Sequence, residues 1–261
     1  MSVYNGEKYV AQAITSIINQ TFQDWELLVI NDGSTDKSFE IMNSFASQDK
    51  RVVVIDNGKN IGLTKSLNKG IIYSRGEYIA RQDADDISLP ERIAKQVDFM
   101  EKNKTVGCCG CDVIIVDDQG KQLKPVVLPA KINQLLPKRN VMVHGSLMFR
   151  REIILSAGCY DENFYYAQDY DLLLRLSKLT VIAKLADFCY HLRYGKNRLS
   201  SNKFWQQLYY TSLAKYYYKS QRRETNGILA KLFLFKEIFY SFFFIYKMGA
   251  GEILRLVNVI K

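Results

Sequence analysis

The sequence predicts an α/β fold, a mostly parallel sheet with helices on both faces. Two features of its 261 residues predict it. Amphipathic helical periods alternate with short apolar runs of the kind that a buried parallel strand shows. The segments between successive runs are long enough for right-handed crossover helices rather than hairpins. A composition of 48% apolar and 24% charged residues belongs to a folded globular chain, and the length allows one large domain plus an appendage.

Tyr9, Val10, Ala13, Ile14, Ile17 and Ile18 recur at helical spacing, and Trp25 to Ile30 follows as a run suited to a buried strand. Asp32-Gly33-Ser34-Thr35-Asp36 supplies turn and capping residues. Phe39, Ile41, Met42 and Phe45 mark a second helix, and Val52 to Ile55 a second strand. Gly62 to Ser74 reads as a helix and Tyr78 to Gln82 as a strand. Pro90 suits the first turn of a helix running to about Asn103, where its missing N–H would be unpaired anyway.

Beyond that point the rhythm changes. The strand-like run Val106 to Val116, the turn Asp117-Asp118-Gln119-Gly120 and the Pro-containing stretch Pro125 to Pro137 together read as an irregular section with a hairpin and a short helix. Leu147 to Phe149, a helix near Arg151 to Ala157 and another at Asp169 to Lys178 complete a body assigned to residues 1–201. Residues 202–261 read as a basic, aromatic helical tail.

Charge separates the two parts. From Leu192 onward there are 13 Lys and Arg against 3 Asp and Glu, a net +10, while residues 1–191 carry −1. A near-neutral body with a cationic tail points to an anionic membrane surface rather than to nucleic acid. The longest uncharged apolar run, Ile238 to Tyr246, is closed by Glu237 and Lys247 and is too short to span a bilayer. On a helical wheel Lys236, Glu237, Tyr240, Ser241 and Lys247 share one side, with Phe235, Phe239, Phe242 and Ile245 opposite, which suits a helix lying in the interface. Five cysteines with no secretory signal ahead of them point to a reducing compartment, the cytoplasm, and the tail adds the expectation of a peripheral position on the inner face of the cell membrane. Cys108, Cys109 and Cys111 lie in a strand-like run with no second half of a zinc site, so they are expected to be core.

The chemistry sits where strands end. In open parallel sheets ligands bind beyond the carboxyl ends of the strands, and two such ends carry acids: Asp32, and the group Asp83, Asp85 and Asp86. Clustered carboxylates repel one another unless a cation or a set of donors is expected among them. Mn²⁺ or Mg²⁺ fits, since it takes one or two protein carboxylates and completes its shell with phosphates and water. A diphosphate ligand follows. Neither GxxxxGK[ST] nor a GxGxxG after the first strand is present, which counts against nucleotide hydrolysis and dinucleotide redox chemistry.

Five motifs then occur in order: Val3-Tyr4-Asn5-Gly6-Glu7, Asn31-Asp32-Gly33-Ser34-Thr35-Asp36, Asn60-Ile61-Gly62-Leu63, Arg75-Gly76-Glu77-Tyr78-Ile79-Ala80-Arg81-Gln82-Asp83-Ala84-Asp85-Asp86, and Gln168-Asp169-Tyr170-Asp171-Leu172. In these the chain resembles family-2 glycosyltransferases of the Rossmann-like GT-A fold, across about residues 3 to 195. The resemblance implies inverting transfer of a sugar, of hexosyl type, from a nucleotide diphospho-sugar to a hydroxyl, with a UDP-sugar as the expected donor. It implies Asp32 at the nucleobase, Asp83 near ribose and metal, Asp85 on the metal, and Asp169 as general base. Asn60 and Arg81 are assigned to nucleotide-sugar binding, with the bland competitor for Arg81 an ordinary surface cation. Helix capping competes for Asp169, a turn role for Asp86, and a structural role for Asp171 and for His144.

Three departures stand out. The family begins with a buried strand just before the Val3-Tyr4-Asn5 segment, so the first strand is expected to be truncated at Met1. Gln168 stands where Glu is common. The Gln-x-x-Arg-Trp element of processive synthases is absent, so one sugar per encounter is expected. With the tail, these features predict transfer to a lipid-linked or cell-surface polysaccharide precursor. The competing readings are a noncatalytic nucleotide-sugar-binding or scaffold protein, and sugar-phosphate nucleotidylyl transfer, which lacks its Gly-rich phosphate loop here.

Overall fold

The computed structural model describes residues 1–194 and 203–220. The chain runs β1 (Ser2–Val3), α1 (Val10–Ile18), β2 (Leu27–Asn31), α2 (Ser38–Gln48), β3 (Val52–Asp56), α3 (Leu63–Tyr73), β4 (Tyr78–Ala80), β5 (Ile87–Ser88), α4 (Arg92–Lys102), β6 (Val106–Val116) and β7 (Gln122–Val126). It continues through α5 (Ile132–Leu135), a 3-10 turn at His144–Ser146, β8 (Met148–Arg150), α6 (Arg151–Ser156), α7 (Gln168–Leu176), β9 (Val181–Arg193) and α8 (Phe204–Ser220). The predicted α/β class is the one observed.

Helices α1 to α4 form where the apolar spacing placed them. Val10, Ala13, Ile14 and Ile17 are buried along one side of α1, against Val29 of β2 and Met42 of α2. The strands fall into two sheets. In the first, β1, β2 and β3 pair in parallel in the order β1-β2-β3, as crossover helices require. The second is mixed, in the order β4-β8-β6-β9-β5 with β7 beside β6. There the expected parallel pairing is confined to β6 and β9, while β4/β8, β5/β9, β6/β7 and β6/β8 are antiparallel. A cavity of about 690 Å³ lies between the sheets, lined by Met1, Leu27, Leu28, Tyr78, Ala80 and Phe149 and reaching Arg81 and Tyr160.

The thirteen-residue β9 was not among the predicted elements, because Lys184, Asp187 and His191 dilute its apolar pattern. Its charge is neutralised by pairing. Lys184 Nζ donates to both carboxylate oxygens of Asp112 on β6, at 2.9 and 3.1 Å, and Asp112 also accepts the Leu128 N–H. Cys108, Cys109 and Cys111 are fully buried on β6, and burial pushes the Cys109 thiol up to about 12, as inert core residues require. None of the five cysteines is in a disulfide. Of the tail, α8 is described: Leu213, Ala214 and Tyr217 share a buried cluster with Leu172, Leu173 and Leu176. The segment Ile228 to Tyr246 lies outside the described residues.

Candidate active site

The first two sequence motifs fold into one surface. Asn5 Oδ1 accepts the Thr35 N–H at 2.8 Å, the Gly6 N–H donates to Ser38 Oγ at 2.8 Å, and Glu7 accepts the Lys37 N–H at 3.0 Å. Asp32 follows β2 and is 2% exposed. Its carboxylate accepts hydrogen bonds from Asn57 Nδ2 (3.0 Å), the Ile61 N–H (2.9 Å) and the Gly62 N–H (3.0 Å). Gly33, at φ 72°, lies so close to this loop that a Cβ would overlap the backbone of Lys59 and Asn60. Asp32 and Asn60 are thus neighbours through backbone contact, with Lys59 and Asn60 on the exposed side.

The acidic loop follows β4. Arg81 is no surface cation: it is 5% exposed, and its Nη2 is 2.5 Å from Asp83 Oδ1. The Asp83 N–H donates to Tyr190 Oη at 3.2 Å. Gly145 passes close beneath, where a Cβ would stand 2.7 Å from Asp83 Oδ2. Asp86 turns inward, 1% exposed, to accept the Arg193 N–H at 2.7 Å, so its structural reading holds. Arg193 anchors the loop further. Its Nε donates to the Asp85 carbonyl at 2.8 Å, its Nη1 to the carbonyls of Asp117 and Asp118, and its guanidinium stacks 4.4 Å from the Tyr9 ring centre. Asp83 and Asp85 remain partly exposed on the same turn.

Asp169 belongs to the first turn of α7, and Ala167, in the left-handed region at φ 52°, is the residue that precedes that helix. Capping by Asp169 is therefore not observed. Its Oδ2 instead accepts a hydrogen bond from Asn140 Nδ2 at 2.8 Å. Asp171, 3% exposed, is bound to Arg175 Nε and Nη2, each at 2.8 Å, in keeping with a structural role.

Between the two acidic segments sit His144 and Tyr160, with His144 Nε2 2.7 Å from Tyr160 Oη. Burial, and then the Arg81 charge, hold His144 below its ordinary 6.5, while Asp169 and Asp83 oppose them. Tyr160 is raised above its ordinary value by burial, with Arg81 opposing and Asp169 and Asp83 adding. The Asp83 loop, with Arg81 paired to it, packs against Gly145 next to His144, and Asp169 is bound by Asn140 at the other end of the same 140–146 segment. Asn140 and Tyr160 were not among the predicted site residues. Asn140 follows Lys138 and Arg139 in what reads as a polar loop, and Tyr160 lies in a turn-rich stretch.

The donor set suits a hard divalent cation. Asp83 and Asp85 offer carboxylate oxygens two residues apart, the number of protein ligands Mn²⁺ or Mg²⁺ takes when phosphates complete its shell. Among the described residues no group of three or more His, Cys, Asp or Glu forms a closed metal cage.

Comparison with known proteins gives the family and the fold. The sequence model of glycosyl transferase family 2 matches residues 1–156. An uncharacterized glycosyltransferase of Methanocaldococcus jannaschii is 34% identical over 251 residues, covering 92% of this chain and 84% of its own length. The amylovoran biosynthesis glycosyltransferase AmsE of Erwinia amylovora is 33% identical over 225 residues, covering 82% of this chain and 84% of its own. Among solved structures, a mannosyltransferase of Pyrobaculum calidifontis in complex with GDP-Man and Mn²⁺ superimposes with a TM-score of 0.65 at 17% identity, over 89% of this chain and 68% of that one. The 1–349 piece of S. aureus TarS, in complex with UDP-GlcNAc, gives 0.63 at 17% identity, over 82% of this chain and 64% of that one. At such identities the likeness speaks for the GT-A fold alone, and this chain spans only about two thirds of either structure.

Proposed function

The chain belongs to glycosyl transferase family 2 and is a glycosyltransferase, and from that premise we propose that it moves a single sugar, with inversion, from a nucleotide diphospho-sugar to a hydroxyl of a lipid-linked or cell-surface polysaccharide precursor. The observation that carries the reading is that one short segment meets both acids: Gly145 lies against Asp83, and Asn140 is hydrogen-bonded to Asp169. Two carboxylates from distant segments then share one site, one beside the metal-type loop and one on a separate helix.

Asp169 accepts the proton of the acceptor hydroxyl as that oxygen attacks the anomeric carbon from the face opposite the leaving group. Asp83 and Asp85 would hold a divalent cation, which when bound would supply Lewis-acid stabilisation of the departing nucleoside diphosphate. Arg81 is paired to Asp83 and therefore acts by fixing that carboxylate rather than as a mobile phosphate clamp. Asp32, with three donors on its carboxylate and almost no exposed surface, contributes to donor binding through the Asn57–Gly62 loop it holds, where Asn60 faces the nucleotide. Polysaccharide assembly as the setting is supported by the printed name of the Erwinia amylovora relative, and a nucleotide-sugar donor by the ligands of the two solved structures. The donor we assign is a UDP-sugar, the place of action the inner membrane surface, and the tail the element that meets it. Among the described residues no helix is long and apolar enough to cross a membrane.

The test is transfer from a panel of UDP- and GDP-sugars with Mn²⁺, for the natural chain and for Asp169→Asn and Asp85→Ala. The expected outcome is that Asp169→Asn keeps nucleotide binding and loses at least about a hundredfold in turnover, whereas Asp85→Ala loses metal-dependent donor binding. Undiminished transfer in either variant removes that residue from the mechanism. Gln168, standing beside Asp169, favours one second reading, a noncatalytic binder. Nucleotide binding with Mn²⁺ and no turnover of any donor would establish it.

A further inference from the structure

We propose that Asn140 is the positioning residue that aims Asp169 at the acceptor hydroxyl. The inference rests on the reading of Asp169 as general base. Three contacts carry it. Asn140 Oδ1 accepts the Met142 N–H at 3.1 Å, which fixes the amide so that Nδ2, and not the carbonyl oxygen, faces Asp169. Nδ2 then donates to Asp169 Oδ2 at 2.8 Å. One helix position along, Tyr170 Oη donates to the Leu136 carbonyl at 2.6 Å, so the 136–142 segment and the start of α7 are joined at two points.

A carboxylate at a helix start with a single-bond rotor would otherwise swing among several rotamers. One oxygen held by a fixed donor leaves the other to take the proton. The remaining charged and titratable groups around Asp169 do not hold it in this way. Asp171 on the same helix is engaged by Arg175, His144 is engaged with Tyr160, and Arg81 with Asp83. A neutral donor also holds the carboxylate without the permanent charge that a lysine or arginine would place beside the incoming sugar.

The test is Asn140→Asp, compared with Asn140→Ala and with Asp169→Asn. The Asp replacement keeps an acceptor for the Met142 N–H, so the loop is retained, but it offers no donor to Asp169 and sets a like charge beside it. The expected result is a fall in kcat of roughly ten- to a hundredfold with donor KM within about twofold, and an acid limb of the kcat/KM profile moved upward by about one pH unit. Asn140→Ala should show a smaller upward movement. Titration of the Asp169 carboxyl by ¹³C NMR in the unliganded protein gives a readout independent of turnover, and it should move in the same direction. If Asn140→Asp keeps the natural kcat and pH profile, or leaves the Asp169 titration in place, the positioning role is overturned. If Asp169→Asn transfers at the natural rate, the base reading itself falls, and the two failures are told apart by which variant stays active.

Discussion

Arg92 carries its charge into the centre of the protein, with none of its surface exposed. Its guanidinium donates to Gln96 Oε1, Gln82 Oε1, Ser88 Oγ and the carbonyls of Arg81 and Leu147, and stacks 4.9 Å from the Tyr190 ring centre. No carboxylate is in this set, so the cation is compensated by five acceptors and an aromatic face. Those acceptors form the floor beneath Asp83. Arg92→Met should cost about 3–5 kcal/mol in chemical denaturation, because it strands several buried acceptors at once. Residue depth is also where sequence reasoning reached its limit. Asp32, Asp83 and Asp85 stood out because acids at strand ends are costly without a purpose and Asp169 only through the family motif, whereas Arg81 and Arg92 show only their charge in a sequence, and their burial depends on partners supplied by other segments. His144 yields a pH prediction of the same scale. Folding holds it below 6.5, so between 6.5 and its folded value the unfolded chain binds more protons, and stability declines as pH falls through that window. His191 is lowered as well, by burial and then Arg193, and acts in the same direction. Melting temperature followed from pH 7 to 5.5 should therefore fall, and His144→Gln should remove part of that slope.

At the scale of elements, most strands and helices were readable in both halves, while β5, β9 and the antiparallel pairing of the second sheet were not. Helices α1 to α4 each bury residues at helical spacing, and β1, β2 and β3 pair with neighbours close in sequence. Strand β9 pairs in parallel with β6 across the intervening β7, α5, β8, α6 and α7, and its inward charge is explained only once Asp112 is seen opposite Lys184. Glycines give a cleaner comparison. Gly33 and Gly58 both have left-handed backbones, at φ 72° and 69°, yet a Cβ at Gly58 meets nothing within 4 Å while one at Gly33 strikes the Lys59–Asn60 backbone. Each alanine replacement should cost about 1 kcal/mol or more in strain. Only Gly33→Ala should also displace the loop held by Asp32, so calorimetry should show weaker donor binding for Gly33→Ala and near-natural binding for Gly58→Ala. Equal donor affinity in the two would separate that loop from nucleotide recognition.

The whole molecule is electrically divided, and that division is the feature that most constrains where it works. Residues 1–191 carry −1 and the remainder +10, so association with an anionic surface would orient the body rather than bury it. Helix α8 ties the start of the tail to α7 through Leu213, Ala214 and Tyr217. Each Lys or Arg near an anionic bilayer contributes about 1 kcal/mol, and that contribution fades within a Debye length of roughly 8–10 Å at moderate salt. Seven cations lie beyond Ser220, together with six phenylalanines between Ile228 and Tyr246. The chain should therefore sediment with vesicles containing an anionic phospholipid, release partly when salt is raised, and bind neutral phosphatidylcholine vesicles weakly. A variant ending at Ser220 keeps α8 and its packing, so it should remain folded and lose most of this binding. If that shortened protein binds anionic vesicles as well as the full chain, or if charge on the vesicle makes no difference, the tail meets something other than a membrane surface.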